Sequence, residues 1–130
     1  MKNANKGKVI TPADAHPWPH EVRVAKILAL AGHSVEFIPE GNLHSPDIYL
    51  DNVRYEIKSP EKFNTNTLEH KLKDATKQSP NLIIDTSRIR KVYDKKVMNF
   101  LISTVRRQKQ IKHMLMITKH GQIIDISALI

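Results

Sequence analysis

The chain has 130 residues, 40% of them hydrophobic, a length at which one globular domain buries a real core. Twenty-one Lys plus Arg stand against thirteen Asp plus Glu, a formal net charge of +8. Such an excess draws polyanionic partners through phosphate neutralisation, although a solubility charge or an anionic membrane surface accounts for it as well. The lack of cysteine excludes disulfides, thiolate nucleophiles and Cys-based zinc sites, and no apolar run reaches bilayer length.

Residues 1–17 are polar, carry two prolines and show no sustained periodicity, so they read as a flexible leader or linker remnant, with residues 18–130 as one domain. The first eight residues are basic and have no hydrophobic signal core, so the chain reads as soluble and its export would require a carrier. Pro19 suits the first turn of a helix, where its missing N–H has no partner to lose. Val24, Ala25, Leu28 and Ala31 follow at helical spacing, and Gly32 supplies the stop. Ser34 to Ile38 alternates as a strand, and Pro39 to Pro46 reads as a loop.

Asp47 to Leu50 and Val53 to Lys58 are alternating segments separated by Asp51 and Asn52, residue types that tolerate the left-handed backbone of a two-residue hairpin turn. A polar loop, Pro60 to Thr67, leads to a helix over Leu68 to Lys77, with Leu68, Leu72 and Ala75 on one side and Gln78-Ser79-Pro80 ending it. Leu82-Ile83-Ile84 suits a strand covered on both faces. Lys95 to Gln110 places Met98, Leu101, Ile102 and Val105 on a helical stripe with a basic end. Met114 to Thr118 and Gln122 to Ile126 close the chain as a strand pair around His120-Gly121. The order α-β-β-β-α-β-α-β-β predicts an α/β or α+β domain with a central mixed sheet flanked by helices.

A two-residue turn at Asp51-Asn52 sets Asp47 opposite Glu56. Opposed side chains have Cβ atoms about 4.5 to 5.5 Å apart, and like charges there destabilise the sheet. A divalent cation offsets that repulsion, since Mg²⁺ takes one or two carboxylates together with waters and phosphate oxygens. Alternation puts Arg54, Glu56 and Lys58 on one side of the strand, so Lys58 projects beside the expected metal site, where its ammonium can orient a water or stabilise charge on a phosphate. Glu21 falls on the inward stripe of the first helix and could complete the outer shell of the metal.

Ser45-Pro46-Asp47, Glu56-Ile57-Lys58 and the helix residue Glu21 together resemble the PD-(D/E)XK nuclease superfamily, whose restriction-endonuclease-like core runs α-β-β-β-α-β. The resemblance implies phosphodiester hydrolysis with Glu21, Asp47, Glu56 and Lys58 as catalytic residues. It also implies Mg²⁺, or another divalent cation such as Mn²⁺, held by Asp47, Glu56 and Glu21. From Glu21 through Gln78-Ser79-Pro80 to the basic helix, the layout is similar to the C-terminal tRNase toxin domains of contact-dependent growth inhibition proteins of the CdiA type. That likeness implies tRNA as substrate, a cognate immunity protein as partner, and action in the cytoplasm of a target cell after delivery within a larger secreted toxin.

Each residue has a plainer reading. Glu21 suits the positive end of a helix dipole, and Glu56 and Lys58 could form a solvated face balanced by Arg54. Ser59 and Gln78, just past a strand end and a helix end, and Arg88, Arg106 and Arg107 in the basic second half are weaker candidates for nucleic-acid contact. Two rival functions remain: a metal-independent RNase toxin of the barnase, EndoU, colicin and RelE type, and a non-catalytic nucleic-acid-binding module.

Overall fold

A computed structural model describes residues 7–39 and 47–130, which fall into two compact units, Met1–Ile57 and Lys58–Ile130. The described residues form an α+β protein with three α-helices and mixed strand pairing. Ser45 and Pro46, and most of the expected loop before Asp47, lie outside the described residues.

In the first unit, β1 (Val9–Ile10) pairs in parallel with β2 (Val35–Phe37), which runs antiparallel to β3 (Asp47–Leu50), itself antiparallel to β4 (Val53–Lys58). Helix α1 (Pro19–Leu30) packs against β1 and β2. It buries Glu21, Val24, Ala25, Leu28 and Ala29, the three-and-four spacing of one helical face. Gly32, at φ 101°, ends it, with its N–H on the carbonyl of Ala29 and that of His33 on Leu28, both at 3.0 Å. This pair of bonds satisfies carbonyls that the last turn would otherwise leave open.

Strand β1 is an element that the sequence order lacked, and it lies in the segment read as a leader. Two residues are too few to display a period, so only tertiary pairing reveals the strand: Val9 faces Val35 and Ile10 faces Glu36. Gly7 fixes the approach, since a Cβ there would sit 1.6 Å from the carbonyl oxygen of His33.

The β3–β4 hairpin follows the predicted register residue for residue. Leu50 faces Val53, Tyr49 faces Arg54, Ile48 faces Tyr55 and Asp47 faces Glu56. Asp51 and Asn52 take φ values of 50° and 70°, the left-handed pair that a type I′ turn demands. Ile48, Leu50, Tyr55 and Ile57 supply one apolar, buried side of the hairpin.

In the second unit, β5 (Asn81–Asp85) lies parallel to β6 (His113–Ile117), and β7 (Ile123–Asp125) returns antiparallel to β6. A 3₁₀ turn, Ile126–Leu129, closes the chain. Helix α2 (Thr65–Ala75) begins three residues before its predicted start, because Asn64 caps it by accepting the N–H of Thr67 at 3.0 Å. Helix α3 (Asp94–Arg107) buries Val97, Leu101, Thr104 and Val105, while Met98 and Ile102 are only half-buried. The face is therefore turned from the predicted stripe. The Thr104 hydroxyl donates to the Phe100 carbonyl at 2.9 Å, so it enters the core without an unsatisfied donor. These elements enclose a core of Leu72, Leu82, Ile84, Ile89, Leu101, Met114 and Met116.

The turn makes the register testable. Asn52→Gly keeps the left-handed backbone and is expected to leave the urea midpoint unchanged or raise it. Asn52→Val is expected to cost about 1–2 kcal/mol of stability, since a branched side chain crowds the following carbonyl there. Equal stability of the two variants would contradict the turn.

Candidate functional site

The side of the β3–β4 hairpin opposite its apolar face carries Asp47, Tyr49, Arg54 and Glu56, and its exposure falls steadily away from the turn. Tyr49 is 41% exposed, whereas Asp47 is 7% and Glu56 is 0% exposed. Two directly opposed carboxyl groups thus sit at the buried end of the face. Burying like charges side by side is costly unless cations or hydrogen bonds offset the field.

Part of that offset comes from the chain itself. The Arg54 guanidinium donates to Asp47 Oδ2, diagonally across the hairpin. This hydrogen bond, and then the charge of Asp47 with smaller contributions from Tyr49 and Glu56, raises the Arg54 pKa above its ordinary value. The plainer reading, with Arg54 balancing the acids, therefore holds for one oxygen. The other, Asp47 Oδ1, is buried and has no hydrogen-bond partner among the described residues, and both carboxylate oxygens of Glu56 are likewise removed from solvent.

Lys58 ends β4, two residues beyond Glu56 and so on the same side of the strand, and is half-buried. Glu21 is 3% exposed, on the inward stripe expected for it. One of its oxygens accepts the backbone N–H of Trp18 at 2.8 Å, while Oε2 lies 4.0 Å from His20 Nε2. Glu21 therefore helps to close the first turn of α1. Trp18 itself is 65% exposed. Among the described residues, no set of three or more Asp, Glu, His or Cys side chains is arranged to hold a metal ion. The opposed acids of the hairpin are the Asp47–Glu56 pair.

The weaker candidates divide. Ser59 is half-buried and donates to Asp85 Oδ2 at 3.1 Å. Arg88 pairs with Glu61 at 2.8 Å and reaches the Ser59 carbonyl at 3.4 Å, and Arg107 is held by Glu69 and Ser103. These two guanidinium groups are thus partly committed within the fold. Gln78 and Arg106 are exposed. Sequence reasoning passed over Asp85, which is 0% exposed at the end of β5 and also accepts the Ser87 N–H at 3.0 Å. Its signal was an acid closing the apolar run Leu82-Ile83-Ile84, where a merely solvated carboxylate is out of place.

The turn of the hairpin is anchored by charge. Asp51 Oδ1 accepts the Ser34 N–H at 2.8 Å, and Asp51 Oδ2 lies 2.6 Å from His33 Nδ1. The His33 hydrogen bond, followed by that of Ser34, lowers the Asp51 pKa below its ordinary 3.8. A carboxyl depressed on folding adds stability that is fully present above 3.8 and is lost as pH falls through the lower folded value. His33→Ala is expected to return the Asp51 carboxyl titration, followed by NMR, toward 3.8 and to shrink the loss of stability in acid. An unmoved titration would separate His33 from Asp51.

Residues 44–123, more than half of the chain, match the family described as contact-dependent growth inhibition CdiA C-terminal domain. That span holds Asp47, Glu56 and Lys58 and leaves Glu21 outside. Among solved structures, a chain of the CdiA-CT/CdiI toxin and immunity complex from Burkholderia pseudomallei is similar in fold, with a TM-score of 0.67 at 14% sequence identity. The alignment covers 91% of this chain and 98% of that one. No curated protein matches.

Proposed function

This chain belongs to the contact-dependent growth inhibition CdiA C-terminal domain family, and from that premise we propose that it is a toxin domain acting as a metal-dependent nuclease of the PD-(D/E)XK kind. Its substrate is nucleic acid, tRNA first among the choices, and an immunity protein holds it in check. The neighbour from a toxin and immunity complex supports the partner, and the +8 charge supports the substrate class.

The observation that carries the reading is the register pairing of Asp47 with Glu56 at the buried end of the hairpin. A divalent cation suits the donors there: two hard carboxylates, one with an oxygen that is buried and lacks a hydrogen-bond partner among the described residues. Asp47 and Glu56 would hold it, with Glu21 acting directly or through water. When bound, such an ion polarises a phosphoryl oxygen and lowers the pKa of water.

The chain's own groups do the rest. Arg54 holds Asp47 Oδ2, which orients the carboxylate and leaves Oδ1 for a ligand. Lys58, on the Glu56 side of β4, positions the attacking water and stabilises negative charge growing on the phosphate, a role that suits a strongly hydrated point charge. Burial of the acids limits competition by bulk water. Hydrolysis then leaves the phosphate on the 5′ side of the downstream fragment.

Total tRNA and plasmid DNA incubated with the protein, with Mg²⁺ or with EDTA, test this directly. Cleavage is expected with the metal only, leaving 5′-phosphate ends, and Asp47→Ala and Glu56→Ala are expected to abolish it with the circular dichroism spectrum intact. Lys58→Ala is expected to reduce it by about 100-fold or more. Cleavage that persists in EDTA and leaves cyclic phosphate would overturn the reading, as would a fully active Glu56→Ala variant.

A further inference from the structure

We propose that a cavity in the second unit seats one unstacked base of a single-stranded nucleic acid, and so selects the phosphodiester presented to Lys58. The proposal rests on the nuclease reading only through the role of Lys58; the pocket itself is read from its own walls.

The cavity measures about 320 Å³, at the lower end of the range usual for small-molecule sites. Its walls are aliphatic, among them Leu68, Leu72, Ile84, Ile89 and Leu101, while Lys58, Ser59 and Lys71 bring polar groups to it. A second depression of about 400 Å³ shares Ser59, Pro60, Leu68 and Lys71 with the first, and continues past Lys62 and Thr67. An apolar pit thus adjoins a polar trough.

The charges of this surface favour a polyanion. Of the two carboxylates among the lining residues, Glu61 is paired with Arg88 at 2.8 Å and Asp74 with Lys77 at 3.4 Å, both cations from outside the linings. Lys62 and Lys71 therefore leave the lining with an excess of positive charge. A ligand that matches has a largely apolar body with negative charge beside it, which is the chemistry of a base on its phosphodiester backbone. A paired base cannot present itself this way. The cavity selects for loops, bulges or free strands, where unstacking costs least. Among the described residues no aromatic side chain lines it, so fit against aliphatic walls rather than ring stacking discriminates between bases.

Shared membership of Lys58 gives the pocket its consequence. The same residue lines the cavity and ends β4, so a base seated there places its own phosphodiester beside Lys58. Cleavage position then follows from which base enters the pit.

Fluorescence anisotropy in EDTA, where metal-dependent cleavage is switched off, tests the pocket apart from the chemistry. The probes are a labelled single-stranded oligoribonucleotide, the same strand with abasic sites, and its duplex. The intact strand is expected to bind more tightly than the abasic strand by about tenfold, the scale of burying one largely apolar group. Val97→Phe, which fills the pit, is expected to erase that difference. Lys71→Glu, at an exposed position that tolerates change, is expected to weaken both strands. Should Val97→Phe fail to fold, the abasic comparison and Lys71→Glu still decide. Equal affinity for intact and abasic strands would overturn the pocket even if Mg²⁺-dependent cleavage is found. Base-dependent binding without cleavage under Mg²⁺ would sustain the pocket and count against the nuclease reading.

Discussion

Side chains on a β-strand point alternately to its two sides, so the facing of every group on the β3–β4 hairpin depends on the number of residues in its turn. With two residues, Asp51 and Asn52, both in the left-handed region, Asp47 and Glu56 share a side and stand opposite each other. Had the pairing slipped by one residue, Tyr55 or Ile57 would face Asp47, and the acids would part. The turn is also held from outside the hairpin, by Ser34 and His33 on the Asp51 carboxylate. A short-range backbone preference and two local contacts thus determine whether the acidic pair exists.

Electrostatics then explains why that pair is more than a solvated face. Exposure decreases from Tyr49 toward Glu56, so the charges meet where water screens them least. Arg54 answers one oxygen of Asp47, while Oδ1 stays buried without a hydrogen bond among the described residues. Folded proteins seldom leave such an atom so, and a water or an ion is among the partners that complete it. Among the described residues no set of three acids forms a preformed cage, so the affinity for a cation should depend on waters and phosphate oxygens, as suits Mg²⁺.

Much of this was legible in the sequence, because it rests on local rules. The bounds of β3 and β4, their register, the Gly32 stop and the burial of Glu21 all follow from turn chemistry and periodicity. What escaped depends on partners distant in the chain. The two residues of β1 acquire meaning only beside β2. Arg88 and Arg107 look like free cations in the sequence, yet each meets an acid, Glu61 or Glu69. Asp85 declares itself only through burial beside Ser59 and Ser87. Ser45 and Pro46, part of the motif that first suggested a nuclease, lie outside the described residues, so the case stands on Asp47, Glu56 and Lys58.

The shared fold at 14% identity with a chain of a toxin and immunity complex shows how little of the sequence such an architecture constrains. Function must therefore be sought at the site itself, and the central claim concerns one ion and two acids. Titration of carboxylate-labelled protein with Mn²⁺, followed by paramagnetic broadening in NMR spectra, addresses it without any substrate. The Asp47 and Glu56 carboxyl signals are expected to vanish first, and the Lys58 ammonium signal to broaden with them. Broadening centred elsewhere, or these two signals persisting while others fade, would contradict it.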